Sequence, residues 1–296
     1  MSSEGAIFDL DYRRYEGTRT GRTKIRWAIV RDGVRKVLGF RRKARRKIIP
    51  WLLIAAALLP AIVNVGVQVL SQGFGADELV SELLISHSDY FGITFVIMSL
   101  FVAFAVPELV IPDREHGVLT VYASRPLTLA DYLVSRVAAL LLLVATFTFI
   151  PQIILYLGGA VLSGDIVDYV RDNIELLWQV PLGAVAVFAT QAGVAFIISA
   201  MARKKGVATG IYIAWFLIAG GVAFGLAEAV SRWFALIDLQ GSAIMLVSRI
   251  FDDPSIAADS VLGENNISAW ASLLVVIAIA AFASGLMYRR YRKLMG

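Results

Sequence analysis

The groups that could do chemistry in this chain are few, and most of the usual constellations are missing. Among 296 residues there is no cysteine and there are two histidines, His87 and His116. Disulfides, thiolate chemistry and a paired-histidine metal site are therefore excluded. No HExxH, GxSG or GxGD sequence occurs, and no GxxxxGK[ST] phosphate loop, so the chain cannot be its own P-loop ATPase. What remains is a set of uncharged polar residues inside long apolar stretches. Asn64 and Gln68 lie four apart on one helical face, Gln152 follows Pro151, and Thr190 and Gln191 are adjacent. Two readings stand for them: they line a transport path, or they make interhelical hydrogen bonds worth about 0.6 kcal/mol each. Glu108, beside Pro107 at the edge of an apolar stretch, reads as a solvated acid or a salt-bridge partner of Arg114 or Arg136 rather than a proton relay. Two GxxxG spacings, Gly206 to Gly210 and Gly221 to Gly225, suit close helix packing, within the chain or against a second copy.

The elements that hold these groups are apolar helices. Mean hydropathy is +0.72 and only 17% of residues are charged, against roughly 25% in soluble domains. An all-α integral membrane protein follows, with six stretches long enough to cross a core that takes roughly 20 helical residues: 48–70, 90–111, 132–162, 178–201, 206–227 and 268–288. The third is longer than one crossing needs, so it extends beyond the bilayer or kinks at Pro151. All Lys and Arg except Arg171, Arg232 and Arg249 fall before the first stretch, between the second and third or at the start of the third (Arg136), between the fourth and fifth, or after the sixth. The remaining loops carry acids such as Asp77, Glu78, Asp165, Asp168, Asp252 and Asp253. This alternation predicts six spans with both termini in the cytoplasm; the plasma membrane is the expected location. The first span must act as its own insertion signal, because residues 1–47 have no apolar core. The net charge of +5 is explained by that topology and by anionic lipid, without nucleic acid.

Before the first span, residues 1–20 read as an extended arm. From Arg22 to Phe40 a helix is expected with Trp27, Val30, Val34, Val37 and Leu38 on one stripe and Arg31, Arg35 and Lys36 largely off it. It suits a membrane interface, each nearby cation contributing roughly 1 kcal/mol against anionic headgroups, or packing on a soluble partner. Residues 229–267 are too apolar for a solvated loop and predict one or two short helices in the outer leaflet. A seventh span is disfavoured by Arg232, Asp238 and Arg249.

The segment 112–136 carries more structure than a chain reversal needs. Val118, Val121 and Tyr122 share a face of a short helix begun near Glu115 and stopped by Ser124, Arg125 and Pro126. Thr128 and Asp131 then have capping-box spacing for a second helix. Here the chain resembles the permease subunits of ABC transporters of the ABC-2, type V exporter-like class. The resemblance rests on Glu115, His116, Gly117, Val118 and Leu119, a Glu-x-Gly-Val-Leu run, followed by the turn Ser124, Arg125, Pro126, together with six spans, a basic helix before them and an apolar stretch before the sixth.

This resemblance implies a coupling helix, 115–123, that docks on a separate ABC ATPase subunit. Its contacts would come from Glu115, His116, Gly117, Val118, Leu119, Val121, Tyr122 and Arg125. It further implies a second permease chain, ATP and Mg bound by the partner with no cofactor in this chain, and export of a hydrophobic or amphiphilic substrate. Val118 departs from the commoner Thr. The chain then divides into a cytoplasmic arm and connecting helix (1–47), a six-helix transmembrane domain (48–290) and a basic tail (291–296). A membrane scaffold subunit and a lipid-modifying enzyme are the alternatives, the latter resting on Glu108, Asp113, Arg114 and Glu115.

Overall fold

A computed structural model describes residues 21–40, 45–74, 84–123 and 127–295, and these are helical with no strand. The expected N-terminal arm and most of the basic run before the first span lie outside them. Six helices are long and apolar enough to cross a membrane: α2 (Arg45–Phe74), α3 (His87–Glu115), α5 (Leu129–Leu162), α7 (Leu176–Met201), α8 (Lys205–Ala229) and α12 (Ala269–Met295). Around them stand α1 (Arg22–Val37), α4 (Val118–Ala123), α6 (Ile166–Asp172), a 3-10 turn (Arg232–Ile237), α9 (Leu239–Phe251), α10 (Ser255–Ala258) and α11 (Val261–Glu264). The protein is thus a multi-pass membrane protein.

Helices α3 and α7 form the centre. Of their most apolar stretches 67% is buried, against 22% for α2, α8 and α12. Both are apolar on all sides, which is the pattern of a helix enclosed by others. Within lipid, apolar side chains gain little by leaving the hydrocarbon, so close packing must set the arrangement. The rings of Phe101 and Phe147 lie 4.4 Å apart between α3 and α5. Gly158 on α5 meets α2 so closely that a Cβ would stand 2.4 Å from Val65 Cγ2, and at Gly193 on α7 it would stand 2.6 Å from Ile279 Cγ2 of α12. Some buried hydroxyls are satisfied within their own helix, as Thr94 to Tyr90 O and Ser99 to Phe95 O, both 2.8 Å.

Several boundaries differ from expectation for identifiable reasons. Helix α5 runs unbroken through Pro151 for 34 residues, about 51 Å of helix against a core of roughly 30 Å, so it outreaches the bilayer. Helix α3 continues through Pro112 to Glu115, and the chain turns at Gly117, whose φ of 64° favours a residue without a Cβ. The short helix therefore begins at Val118 rather than near Glu115. The 13-residue α9 spans only about 20 Å; it packs against α7 and α12 and is not a seventh span.

Helix α1 packs on α5 and α3. It buries Ile29, Val30, Gly33 and Val37 while Trp27 stays 60% exposed, so its inner face is rotated from the expected stripe. Gly33 explains the rotation. A Cβ there would lie 2.9 Å from both Ala139 Cβ and Leu109 Cδ2, and only the bare backbone lets the helices approach this closely.

Candidate functional site at the basic end of the bundle

At the end of the bundle where α3 stops and α5 starts, charged side chains converge inside the protein. Thr128 caps α5 as expected: its Oγ1 accepts from Asp131 N at 3.2 Å and Asp131 Oδ2 accepts from Thr128 N at 2.9 Å. The Asp131 side chain, 1% exposed, is also held by Arg22 at 2.7 Å and by Arg26, both on α1. One turn further along α5, Arg136 is fully buried and pairs with Asp113 of α3. Asp113, 2% exposed, takes Lys36 Nζ at 2.8 Å and the Tyr132 hydroxyl at 2.9 Å. Asp32, on α1, completes the set by reaching Lys36 at 3.0 Å and Arg136 at 3.4 Å.

Asp32 and Asp113 therefore neutralise Lys36 and Arg136, four residues from three helices, where isolated charges would be costly. Arg136 Nε alone in this set has no hydrogen-bond partner among the described residues. Sequence reasoning missed the cluster, and the available signal was Asp32 and Asp113, isolated acids within the basic segments.

Tyrosines extend the cluster to α4 and α12. The Tyr122 ring lies 5.7 Å from Tyr132, and Tyr132 stacks at 6.1 Å on Tyr291, whose hydroxyl donates to Val110 O at 3.1 Å. Burial raises the Tyr122 pKa above its ordinary value, so it stays a neutral anchor. Of the residues assigned to docking, Leu119 is 2% exposed and Tyr122 half-buried. This is a correction: Leu119 is an inward anchor because its apolar side chain faces the bundle. Val118 is also half-buried, whereas Glu115, His116 and Gly117 are exposed. Arg125 and the side chain of Val121 lie outside the described residues.

Arg114 and Glu108 have partners other than those expected. Arg114 donates to the carbonyls that end α7, at 3.0 Å to Ala200 O, 3.5 Å to Ser199 O, and also to Ala202 O, as a cation complements a helix C-terminus. Glu108 pairs with Lys205 of α8 at 2.7 Å, because the turn before α8 brings that ammonium across α3. The pair borders a cavity of about 430 Å3 between α1, α2, α3 and α8, lined also by Lys36, Phe104 and Thr209.

The five polar span residues are not brought together. Asn64 exchanges two bonds with the backbone of Ile85, at 3.1 and 3.0 Å. Gln152 grips His87, donating to its carbonyl at 2.9 Å and contacting its ring Nδ1. Both thereby fasten the start of α3, at the opposite end from Arg136. Gln68 is half-buried. Thr190 Oγ1 bonds to Ala186 O at 2.9 Å within its own helix, and Gln191 donates to Phe95 O at 3.3 Å with its Oε1 left unpartnered. Gly206, Gly210, Gly221 and Gly225 are exposed on α8, and a Cβ at any of them would meet nothing within 4 Å. They do not serve packing within this chain.

No known family pattern matches the chain, and no curated protein does. Among the described residues no three His, Asp or Glu side chains converge to hold a metal ion.

Proposed function

We propose that the chain is the membrane-spanning permease subunit of an ATP-driven ABC transporter, exporting a hydrophobic or amphiphilic substrate with ATP and Mg bound by a separate ATPase subunit. The observation that carries this reading is the mounting of α4. A six-residue helix stands between the ends of two spans, is anchored inward by Leu119 and Tyr122, and is flanked by the exposed Glu115, His116 and Gly117. Docking on a partner would use the exposed residues, and the buried ion pairs would pass its displacement to α1, α3 and α5 together. In this reading the basic end faces the cytoplasm of a plasma-membrane protein. A second permease chain meets the poorly buried α2 and α8, and the Glu108–Lys205 cavity lies at the inner mouth of the path. Of the four residues on which a lipid-modifying enzyme would rest, Glu108, Asp113 and Arg114 are held by neighbouring groups and Glu115 is exposed.

The test uses the absence of cysteine. A single His116→Cys carrying a photo-crosslinker should capture an ATPase subunit in native membranes. Glu115→Arg and Gly117→Pro should abolish ATPase stimulation and transport while the protein still inserts. Capture of no ATPase, together with normal transport by both variants, overturns the assignment.

A further inference from the structure

On the far side of Arg136 from α1, helices α5, α7 and α12 leave an open groove of about 670 Å3. Its volume falls within the roughly 300–1,000 Å3 of small-ligand sites. Leu133, Val137, Phe188, Ala192, Phe196 and Met287 line it, and Arg136 closes its inner wall. The rim is membrane-facing, with Val134 63% and Val185 55% exposed.

Its length and position select an occupant. Along α7 the lining runs from Val185 to Phe196, about 16 Å of helix, or one leaflet of a core roughly 30 Å thick. It occupies the basic half of the bundle, opening beside Ala130 at the start of α5 and Tyr288 near the end of α12. Immediately beyond Tyr288 come Arg289, Arg290, Arg292 and Lys293, and beyond α7 come Arg203 and Lys204, all exposed. None of the six has a salt-bridge partner among the described residues. An apolar trough one leaflet long with unpaired cations at its mouth matches an acyl chain joined to an anionic headgroup.

We infer that the α5–α7–α12 groove is a binding site for an anionic phospholipid of the leaflet at the basic end, one acyl chain lying in the groove and the headgroup phosphate against the cations of α12 and the α7–α8 turn. The site is separate from the exposed face of α4 and does not depend on an ATPase docking there.

Native mass spectrometry of the purified full-length protein, titrated with phosphatidylglycerol and with phosphatidylcholine of the same chains, reads the inference directly. The wild type should retain one phosphatidylglycerol in preference to phosphatidylcholine. Arg289→Gln, Arg290→Gln and Arg292→Gln combined, exposed near the end of α12, should lower that preference by about fivefold per cation while acyl binding persists. Ala189→Phe, which fills the groove, should lose both lipids, and Val134→Trp at the rim serves if Ala189→Phe does not fold. Equal retention of the two lipids by the wild type, or undiminished phosphatidylglycerol binding in the filled variant, overturns the site. A lipid-free dimer that Ala189→Phe dissociates also overturns it, because a second copy would then occupy the groove.

Discussion

Asp113→Asn should be among the most damaging single-atom-scale changes in this protein. Arg136 is fully buried and Asp113 is 2% exposed. With Asp113 neutral, the carboxylate left within reach of Arg136 is Asp32, at 3.4 Å, and its side chain is 45% exposed and shared with Lys36. Removing one partner of a buried ion pair costs about 3–5 kcal/mol, because the remaining charge is stranded. Asparagine still accepts from Tyr132, so the lower end, about 3 kcal/mol, is expected. At roughly 2–4 °C per kcal/mol for a chain of about 200 residues, the unfolding midpoint should fall by about 6–12 °C, with this longer chain toward the smaller value. Thermal unfolding in detergent by tryptophan fluorescence measures it. Asp113→Asn combined with Arg136→Gln should recover most of the loss, since both charges then leave together. Arg249→Gln is the control, because the Arg249–Asp252 pair is 74% and 89% exposed and such pairs contribute about 0–1 kcal/mol. If Asp113→Asn shifts the midpoint no more than Arg249→Gln, or if the double variant loses the sum of its singles, the cluster is not a coupled buried network.

Two further outcomes follow from packing and from burial. Gly33→Leu should release α1, since even a Cβ there comes within 2.9 Å of Ala139 and Leu109; limited proteolysis should then cut near Arg22–Val37, whereas Gly210→Leu, with nothing within 4 Å, should leave the proteolysis pattern unchanged. At the opposite end, Asp238 is buried at the start of α9, accepts from Gln240 N at 3.1 Å, and has its pKa raised by burial. A carboxyl raised in the folded state binds more protons there than when unfolded, so stability should rise as pH falls through the folded pKa toward the usual carboxylate value and level off below it. Asp238→Asn keeps the cap and should be at least as stable as the wild type at neutral pH with that acid-side rise removed, as unfolding midpoints between pH 4 and pH 7 would record; an unchanged pH profile would show that Asp238 is not the group responsible.

Six spans, the capped start of α5 and short helices in 229–267 were all legible because each is written locally, in apolar length, in Thr128 and Asp131 three apart, or in turn chemistry. The failures concern contacts between distant residues. Lys205 as the partner of Glu108 depends on where α8 crosses α3, and the pairing of Asp113 with Lys36 bridges helices far apart in sequence. The inner face of α1 was misplaced because hydropathy counts Trp27 as apolar and gives Gly33 no weight, although Gly33 sets the approach. Likewise Leu119 and Glu115 look alike as members of a docking run, and only tertiary burial separates the anchor from the exposed residue.

The charge cluster also constrains how this bundle can move. Arg22 and Arg26 tie α1 to α5 through Asp131, Lys36 ties it to α3 through Asp113, and Arg136 ties α3 to α5. Sliding any one of these helices by a turn, about 5.4 Å, would separate charges that are paired and buried. That change costs several kcal/mol, whereas a tilt that carries α1, the end of α3 and the start of α5 as one body breaks none of the pairs. Helix α4 is joined covalently to both α3 and α5 and is anchored on Tyr132, so a load on it enters this body directly. Outside that body, α2, α8 and α12 have the least buried apolar stretches. Movement delivered at α4 should therefore appear as a change in the seams that α2 and α8 make with α3, where the Glu108–Lys205 cavity lies, rather than as a rearrangement between α1 and α5.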